Sequence, residues 1–490
     1  MHIPAIEIKE VGRVEEVKQG IIKISGLPNC LYGQVIEFEN ASGSRLKGMV
    51  IEFNPECVYG IVFGDENSVK VGDTVLSQSQ PLYVPVGENF IGRIVDSLAR
   101  PFDDKGEIAQ SSLNPVFRQA AGVMEREPIN EALLTGIKII DLLIPIGKGQ
   151  RELIVGDRQI GKTSIALDTI FNQKGKDVIC IYCWIGGNYS AFKKIAQALA
   201  QKGAMEYTLA VCAPAGSSTA EQYVCPYTAA TLGEYFMHKG KDVLVVFDDL
   251  TKHAWIYRQM SLLLERAPGR EAYPGDIFFL HSQLMERAGF LKQEFGGGTM
   301  TFLPMSETLQ GDITGYIPSN LVSMTDGQIY LNTSLFQEGF KPAIDLELSV
   351  SRIGSKVQSP AMRDLSRGLR YEYVHYRSLQ RLTRLRTKLS LEATQQLQRG
   401  RALYELLIQE NNSPLSLAEE IILFYAFNKK VLEVVGIEQV KRFKNEFFSF
   451  LSRHNASLVD ELNKFGDLTG AIKEKLDTQI NEFFRTLGVG

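Results

Sequence analysis

Cysteine is scarce in this chain of 490 residues, neither charge sign dominates, and long apolar runs are missing. Six cysteines in a chain of that length do not make a disulfide framework. Two of them, Cys180 and Cys183, have C-x-x-C spacing but lie inside the strand-like run DVICIYCWIG. Strand positions three apart point to opposite faces, so the pair reads as buried structural thiols rather than a zinc or redox site. Asp plus Glu number 57 against 53 Lys plus Arg, a formal net charge of -4. Neutralising nucleic-acid phosphates takes an excess of basic residues, which argues against a protein dedicated to coating DNA or RNA. No uncharged apolar stretch approaches the roughly 18 residues needed to span a bilayer, and the most apolar segment, Ile421 to Val435, is interrupted by Lys429 and Lys430. The start, MHIPAIEIKE, has neither the basic-then-apolar pattern of a secretory signal nor the Arg-rich, acid-poor composition of a presequence. The expected compartment is the bacterial cytosol. Internal repeats and low-complexity tracts are also missing.

What is present is an ordinary globular composition, 44% apolar and 22% charged, with length enough for about three domains. From about residue 9 to 80, short alternating stretches (GRVEEV, GIIKIS, GQVIEFE, KGMVIEF, YGIVFG, GDTVLS) separated by turn residues predict a small β-barrel. Between Glu152 and about Ser351, β-branched apolar runs alternate with helical stretches, which predicts βαβ units on a mostly parallel sheet. After about residue 358, heptad-like apolar spacing with many charges predicts a helical domain. The expected fold is multidomain α/β, with a barrel at 1–75, a nucleotide-binding domain at 76–358 and helices at 359–490.

Residues Gly156, Asp157, Arg158, Gln159, Ile160, Gly161, Lys162 and Thr163 spell GDRQIGKT, directly after the strand-like ELIV and directly before a helix that continues with Ser164. This is the G-x-x-x-x-G-K-[ST] pattern. Its glycines let backbone N–H groups wrap phosphates, Lys162 adds a positive charge, and the Thr163 hydroxyl can ligate magnesium. The partner such a loop requires is an apolar strand ending in Asp. DVLVVFDD, ending at Asp248 and Asp249, fits, and Asp248 is assigned to magnesium through water.

Longer segments carry a resemblance. RQMSLLLERAPGREAYPGDIFFLHSQLMERA (Arg258 to Ala288), ETLQGDITGYIPSNLVSMTDGQIYL (Glu307 to Leu331) and LSVSRIGS (Leu348 to Ser355) are similar to the nucleotide-binding domain of F-type ATP synthase α subunits. VGRVEEVKQGIIKISGL and ATQQLQRGRALYELLIQ resemble the same family, so the likeness spans nearly the whole chain. It implies a β-barrel, a RecA-like central domain and a helical bundle. It also implies ATP or ADP with magnesium as ligand, and α subunits alternating three and three with catalytic β subunits around a central γ/ε stalk. The ring would stand on a membrane sector that moves protons or sodium ions, with this chain peripheral on the cytoplasmic face of the bacterial inner membrane.

The resemblance assigns roles residue by residue. Hydrolysis requires a group to orient and polarise a water in line with the γ-phosphate. Catalytic β subunits place a Glu there, and α subunits a Gln, where this chain has Gly187 in the turn Ile185, Gly186, Gly187, Asn188. The expectation is a site that binds nucleotide without hydrolysing it. Arg352, in VSRIG, is expected to reach the γ-phosphate in a neighbouring β site as an arginine finger, a role that suits a planar, permanent charge. Phe336, Lys341, Gln409 and Asn411 match positions on the adenine side, where the family has Arg for Lys341 and Gln for Asn411. The family's N-terminal helix, which docks the peripheral stalk, has no counterpart before the barrel, so an atypical stalk is expected. The rotor-facing turn, acidic in the family, reads KLSLE at Lys388 to Glu392, with Arg377, Arg381, Arg384 and Arg386 upstream. Two competing readings are a self-sufficient hexameric motor (a secretion ATPase or Rho-type helicase), and an alternative, Na⁺-translocating rotary ATPase.

Overall fold

The computed structural model describes residues 10–39, 45–383, 390–433 and 435–487. The chain divides into two compact units. One comprises Met1–Glu127, Asp177–Glu307 and Thr314–Met324, and the other Pro128–Lys176, Thr308–Ile313 and Thr325–Gly490.

The first unit begins with the barrel. Strands β1 (Val11–Lys18), β2 (Ile21–Ser25), β3 (Gln34–Glu39), β4 (Arg45–Phe53), β5 (Val58–Val62) and β6 (Thr74–Pro81) close in the order β1-β2-β5-β4-β3-β6. Alternation in the sequence sends Val14, Ile22, Ile24, Ile36, Phe38, Val50, Val58 and Val75 inward to one core. All six expected strands are present. A two-stranded antiparallel ribbon follows, β7 (Tyr83–Val86) with β9 (Ser112–Pro115), and between them lies the short β8 (Ile94–Val95).

Beyond the barrel, the same unit holds β11 (Val178–Ile185), β12 (Thr208–Ala213), β13 (Asp242–Asp248) and β15 (Thr299–Glu307). They run parallel in the order β8-β12-β11-β13-β15, and β14 (Gly289–Phe290) flanks β15 antiparallel. Every residue of β11, VICIYCWI, is buried, as expected of a parallel strand covered on both faces. Cys180 and Cys183 lie within it as free thiols, and Cys183 Sγ sits 3.5 Å from Cys225 Sγ. The helices are α3 (Tyr189–Gln201), α4 (Thr219–Met237), α5 (Leu250–Leu263), α6 (Ile277–Met285) and α7 (Tyr316–Met324). A capping box of Ser218 with Glu221 starts α4, whose residues are buried nearly all round.

In the second unit, β10 (Leu153–Gly156) pairs parallel with β16 (Gly327–Leu331), which pairs antiparallel with β17 (Val350–Ser351). With these go α1 (Lys138–Leu143), α2 (Lys162–Phe171) and α8 (Thr333–Gln337). Among the described residues the elements that follow are helices: α9 (Pro360–Ser366), α10 (Leu369–Thr383), α11 (Leu391–Leu407), α12 (Leu417–Asn428), α13 (Ile437–His454), α14 (Ala456–Phe465) and α15 (Gly470–Thr486). Ser416 and Glu419 form the capping box of α12. Phe443 and Phe447 of α13 meet Phe483 and Phe484 of α15, with centroids 5.2 Å apart for Phe447–Phe483 and 5.6 Å for Phe443–Phe484. Barrel, α/β segment and helices thus follow one another in the predicted order. Among the described residues no helix is long and apolar enough to cross a membrane.

Candidate nucleotide site

The phosphate-loop motif folds as its residue types require. β10 ends at Gly156, the chain turns through Gln159 (φ 61°) and Gly161 (φ 109°), and α2 begins at Lys162. Nothing lies within 4 Å of where a Gly161 Cβ would point, so the loop keeps an open concavity lined by backbone. The buried Lys162 ammonium donates to the carbonyls of Gly156 at 2.8 Å and Asp157 at 2.7 Å. Its charge is therefore held at the start of α2, where the helix dipole also favours an anion. These features fit a nucleotide phosphate.

Asp157 anchors the loop from behind. One carboxylate oxygen accepts from the Thr308 hydroxyl at 2.6 Å and the Gly311 N–H at 2.8 Å, and the other from the Thr333 hydroxyl at 2.8 Å. Burial pushes its carboxyl up, but these hydrogen bonds and the Lys162 charge outweigh that and hold it below the ordinary range. Arg158 and Gln159 are exposed and Ile160 is buried.

One pocket gathers Ile160, Gly161 and Ser164 from the loop and α2 with Phe336, Lys341, Gln409 and Asn411. The Lys341 ammonium stands 5.1 Å from the centre of the Phe336 ring, a cation–π contact. Gln409 lines the pocket with its amide already engaged. Its oxygen accepts from the Lys138 backbone N–H at 3.1 Å, and its nitrogen donates to the carbonyls of Gly136 at 2.7 Å and Ser413 at 2.8 Å. Sequence reasoning missed Ile137 and Glu410, which also line the pocket, and Lys138, whose backbone and side chain hold Gln409 and Ile408 in place. A lysine inside the apolar run GIKIIDLLIPI was the available signal for the last.

At the carboxyl edge of the parallel strands in the first unit, the two aspartates divide their duties. Asp248, 5% exposed, ends β13 and accepts from the Tyr182 hydroxyl at 2.7 Å. Asp249 caps α5, accepting from the Lys252 N–H at 2.9 Å. Burial pushes the Asp249 carboxyl up to about 6 against the pull of Lys252. Asp248 and the Thr163 hydroxyl are hard oxygen donors of the kind magnesium takes. Among the described residues, no three His, Cys, Asp or Glu side chains form a separate metal cluster.

Gly187 is not in the left-handed region, so backbone conformation does not require glycine there. Trp184 does. A Cβ on residue 187 would lie 2.3 Å from Trp184 Cζ2 and 2.5 Å from Cε2.

Arg352 is exposed, and among the described residues its guanidinium has no hydrogen-bond or ion-pair partner. Its backbone N–H donates to the Asp326 carbonyl at 2.9 Å. Its charge favours ionisation of buried Glu152, against the burial that drives that carboxyl well up. Of the basic stretch, Arg377 is tied to Glu338 at 2.8 Å, and Arg381 is exposed. Arg384, Arg386 and Lys388 lie outside the described residues, as does the segment before the barrel.

Three family models match the chain in succession. The beta-barrel domain of the ATP synthase alpha/beta family covers residues 7–77, its nucleotide-binding domain 136–351, and the C terminal domain of the alpha/beta chain 358–483. The chain is 45% identical over 478 residues to the ATP synthase subunit alpha of Clostridium botulinum (strain Hall), covering 98% of this chain and 94% of that one. It is 44% identical over 478 residues to that of Clostridium acetobutylicum, with the same coverage. Against Petrotoga mobilis subunit alpha it is 43% identical over 477 residues, 97% of this chain and 95% of the relative. With all three domains matched in order and these three relatives alpha subunits, the chain belongs to the ATP synthase alpha/beta family.

Proposed function

We propose that this chain is the alpha subunit of a rotary F-type ATP synthase or ATPase, with a barrel at 1–75, a RecA-like domain at 76–358 and a helical domain at 359–490. In this reading it binds Mg-ATP or Mg-ADP as a structural or regulatory ligand without hydrolysing it. The observation that carries the reading is the pocket in which the phosphate loop and the start of α2 meet Phe336, Lys341 and Asn411.

The backbone of Gly156 to Thr163 receives the phosphates, and Lys162 exchanges its two loop carbonyls for phosphate oxygens. Thr163 and, through water, Asp248 hold magnesium, which when bound neutralises phosphate charge. Ile160, Ser164, Phe336, Lys341 and Asn411 enclose the base and sugar side, with Gln409 fixing the wall behind them. Gly187 supplies no group to polarise a water, which supports a non-catalytic site. The exposed Arg352, without a side-chain partner among the described residues, supports a role in trans, completing the active site of a neighbouring β subunit.

Its partners are then β subunits in an alternating three-plus-three ring, the γ/ε stalk, a peripheral stalk and a membrane sector that moves H⁺ or Na⁺, with no nucleic acid. The chain is peripheral on the cytoplasmic face of the bacterial membrane. The test is binding and turnover by the purified chain. Mg-ADP should bind to the wild type and not to Lys162→Ala, and single-turnover hydrolysis of Mg-ATP should be undetectable. Hydrolysis by the wild type that Lys162→Ala abolishes would refute the non-catalytic assignment. A ring of this chain alone that hydrolyses ATP would favour the self-sufficient motor.

A further inference from the structure

Arg352 directly follows β17, a strand of two residues that pairs with β16 through Ser351 opposite Gly327 and Val350 opposite Gln328. So short a ladder fixes little by itself. Hydrogen bonds outside it hold the segment. The Arg352 N–H donates to the Asp326 carbonyl at 2.9 Å, and Asp326 is bound to Arg151 in turn. Its N–H donates to the Arg151 carbonyl at 2.8 Å, and its carboxylate accepts from the Arg151 guanidinium at 2.7 and 3.0 Å. The Ser351 hydroxyl donates to the Pro145 carbonyl at 2.7 Å and accepts from the Gly354 N–H at 3.2 Å, so it ties down the chain on both sides of the arginine.

A third bond at that hydroxyl leads inward, to Gln150 and Glu152, both 0% exposed. The Gln150 amide nitrogen donates to Ser351 Oγ at 3.3 Å and to Glu152 Oε2 at 2.6 Å, while its oxygen accepts from the Gly147 N–H at 2.7 Å. These bonds permit one orientation of the amide. Turned over, it would set its oxygen against Oε2 and its N–H against the N–H of Gly147. The Glu152 carboxyl also fills the space beside Gly327, where a Cβ would fall 2.4 Å from Oε2 and 2.8 Å from Oε1. Oε1 is enclosed, with no hydrogen-bond partner among the described residues. The proton that burial favours is accommodated there, so Oε2 accepts from Gln150 in either protonation state. A buried carboxyl with one orphaned oxygen is destabilising, and a role at a site in use is a reason to keep it.

We propose that Gln150 and Glu152 are positioning residues for Arg352. Glu152 orients the Gln150 amide, the amide holds the Ser351 hydroxyl, and that hydroxyl together with Asp326 fixes the backbone from which the guanidinium projects. This rests on the reading that Arg352 completes the active site of a neighbouring β subunit. With the backbone fixed, only the side-chain torsions of the arginine are left to order when it meets a phosphoryl group. Neither Gln150 nor Glu152 lines the chain's own nucleotide pocket.

The experiment measures ATP hydrolysis by a ring reconstituted with β subunits, and Mg-ADP binding to the full chain by equilibrium dialysis. Gln150→Leu and Glu152→Leu should each lower kcat roughly ten- to hundredfold with KM little changed. Mg-ADP binding to the chain should stay as in the wild type. On an Arg352→Ala background, Gln150→Leu should have no further effect on the residual rate, because the group it positions is gone. Wild-type kcat with either leucine variant would overturn the proposal. So would an equal loss from Gln150→Leu with and without Arg352, or a fall in Mg-ADP affinity that matches the fall in kcat. Should the leucine variants not fold, Ser351→Ala takes their place in the same comparisons, and Ser351→Thr, which keeps the hydroxyl, should recover most of the rate. Full activity of the Arg352→Ala ring would remove the arginine reading and the proposal with it. A slowed Arg352→Ala ring beside an unaffected Gln150→Leu ring removes the proposal alone.

Discussion

Gln409 accepts a hydrogen bond from Lys138, 271 positions away, and the lysine also holds the residue before it. The Lys138 N–H donates to Gln409 Oε1 at 3.1 Å, and the Lys138 ammonium donates to the carbonyl of Ile408 at 2.8 Å. The turn that carries Gln409, Glu410 and Asn411 is thereby fixed to the start of α1.

Gln409→Ala should therefore act as a structural lesion first. It strips partners from the Lys138 N–H and from the carbonyls of Gly136 and Ser413, a cost of about 1–3 kcal/mol. The expected result is a lower Tm with Mg-ADP affinity falling alongside it. Weaker binding at unchanged Tm would instead mean that the amide contacts the base directly.

Lys138 supplies a pH dependence. Burial, with some repulsion from Lys444, pushes its ammonium down to about 7 although nearby glutamates oppose the shift. The unfolded chain titrates it near 10.4, so the unfolded state binds more protons between about pH 7 and pH 10. The stability Lys138 contributes is thus complete only above that range and is lost as pH falls through it. Denaturant unfolding at pH 7 and pH 9.5 should show wild-type stability gaining on Lys138→Met at the higher pH. Equal differences at both values would show that the lysine stays charged.

Asp103 acts in the acid range. Burial opposes its ionisation, but Arg93 donates to both carboxylate oxygens at 2.8 Å, the Ile94 N–H adds a third bond, and the carboxyl is held at about 2. Its contribution is present above the unfolded carboxylate range, near 4, and is lost as pH falls towards 2. Asp103→Asn should lower Tm at pH 6 and lose that disadvantage near pH 2. A deficit that persists at pH 2 would assign the effect to packing.

Arg352→Ala separates the two halves of the proposed function. Mg-ADP binding to the isolated chain should be unchanged, while ATP hydrolysis by a ring reconstituted with β subunits should fall roughly a thousandfold or more. Full activity of that ring would remove the arginine-finger assignment.

Much of the architecture was legible in the sequence, for reasons that are local. Alternation of apolar residues in GIIKIS or GQVIEFE places one face of each strand inward, and strand-loop-helix punctuation around GDRQIGKT fixes where α2 begins. Such patterns depend on neighbours within a turn or a strand. The site was legible only as a set of positions. The sequence marks Asp157 only as a residue of the phosphate loop, and its hydrogen bonds to Thr308 and Thr333 make it an anchor. Of the pair Asp248 and Asp249, the strand end and the helix cap could be told apart only once Asp249 met the Lys252 N–H.

The sequence by itself determined the order of barrel, α/β segment and helices, the phosphate loop, and the want of any carboxylate or amide at position 187, because each is written in consecutive residues. Only the tertiary structure decided why 187 must be glycine, since the cause is an indole at Trp184 turned onto it. The same holds for Gln409, whose partners come from α1 and from the loops on either side. Hydrogen-bonding capacity and free volume are properties of what surrounds a side chain. The chain sets those surroundings only when distant segments have packed.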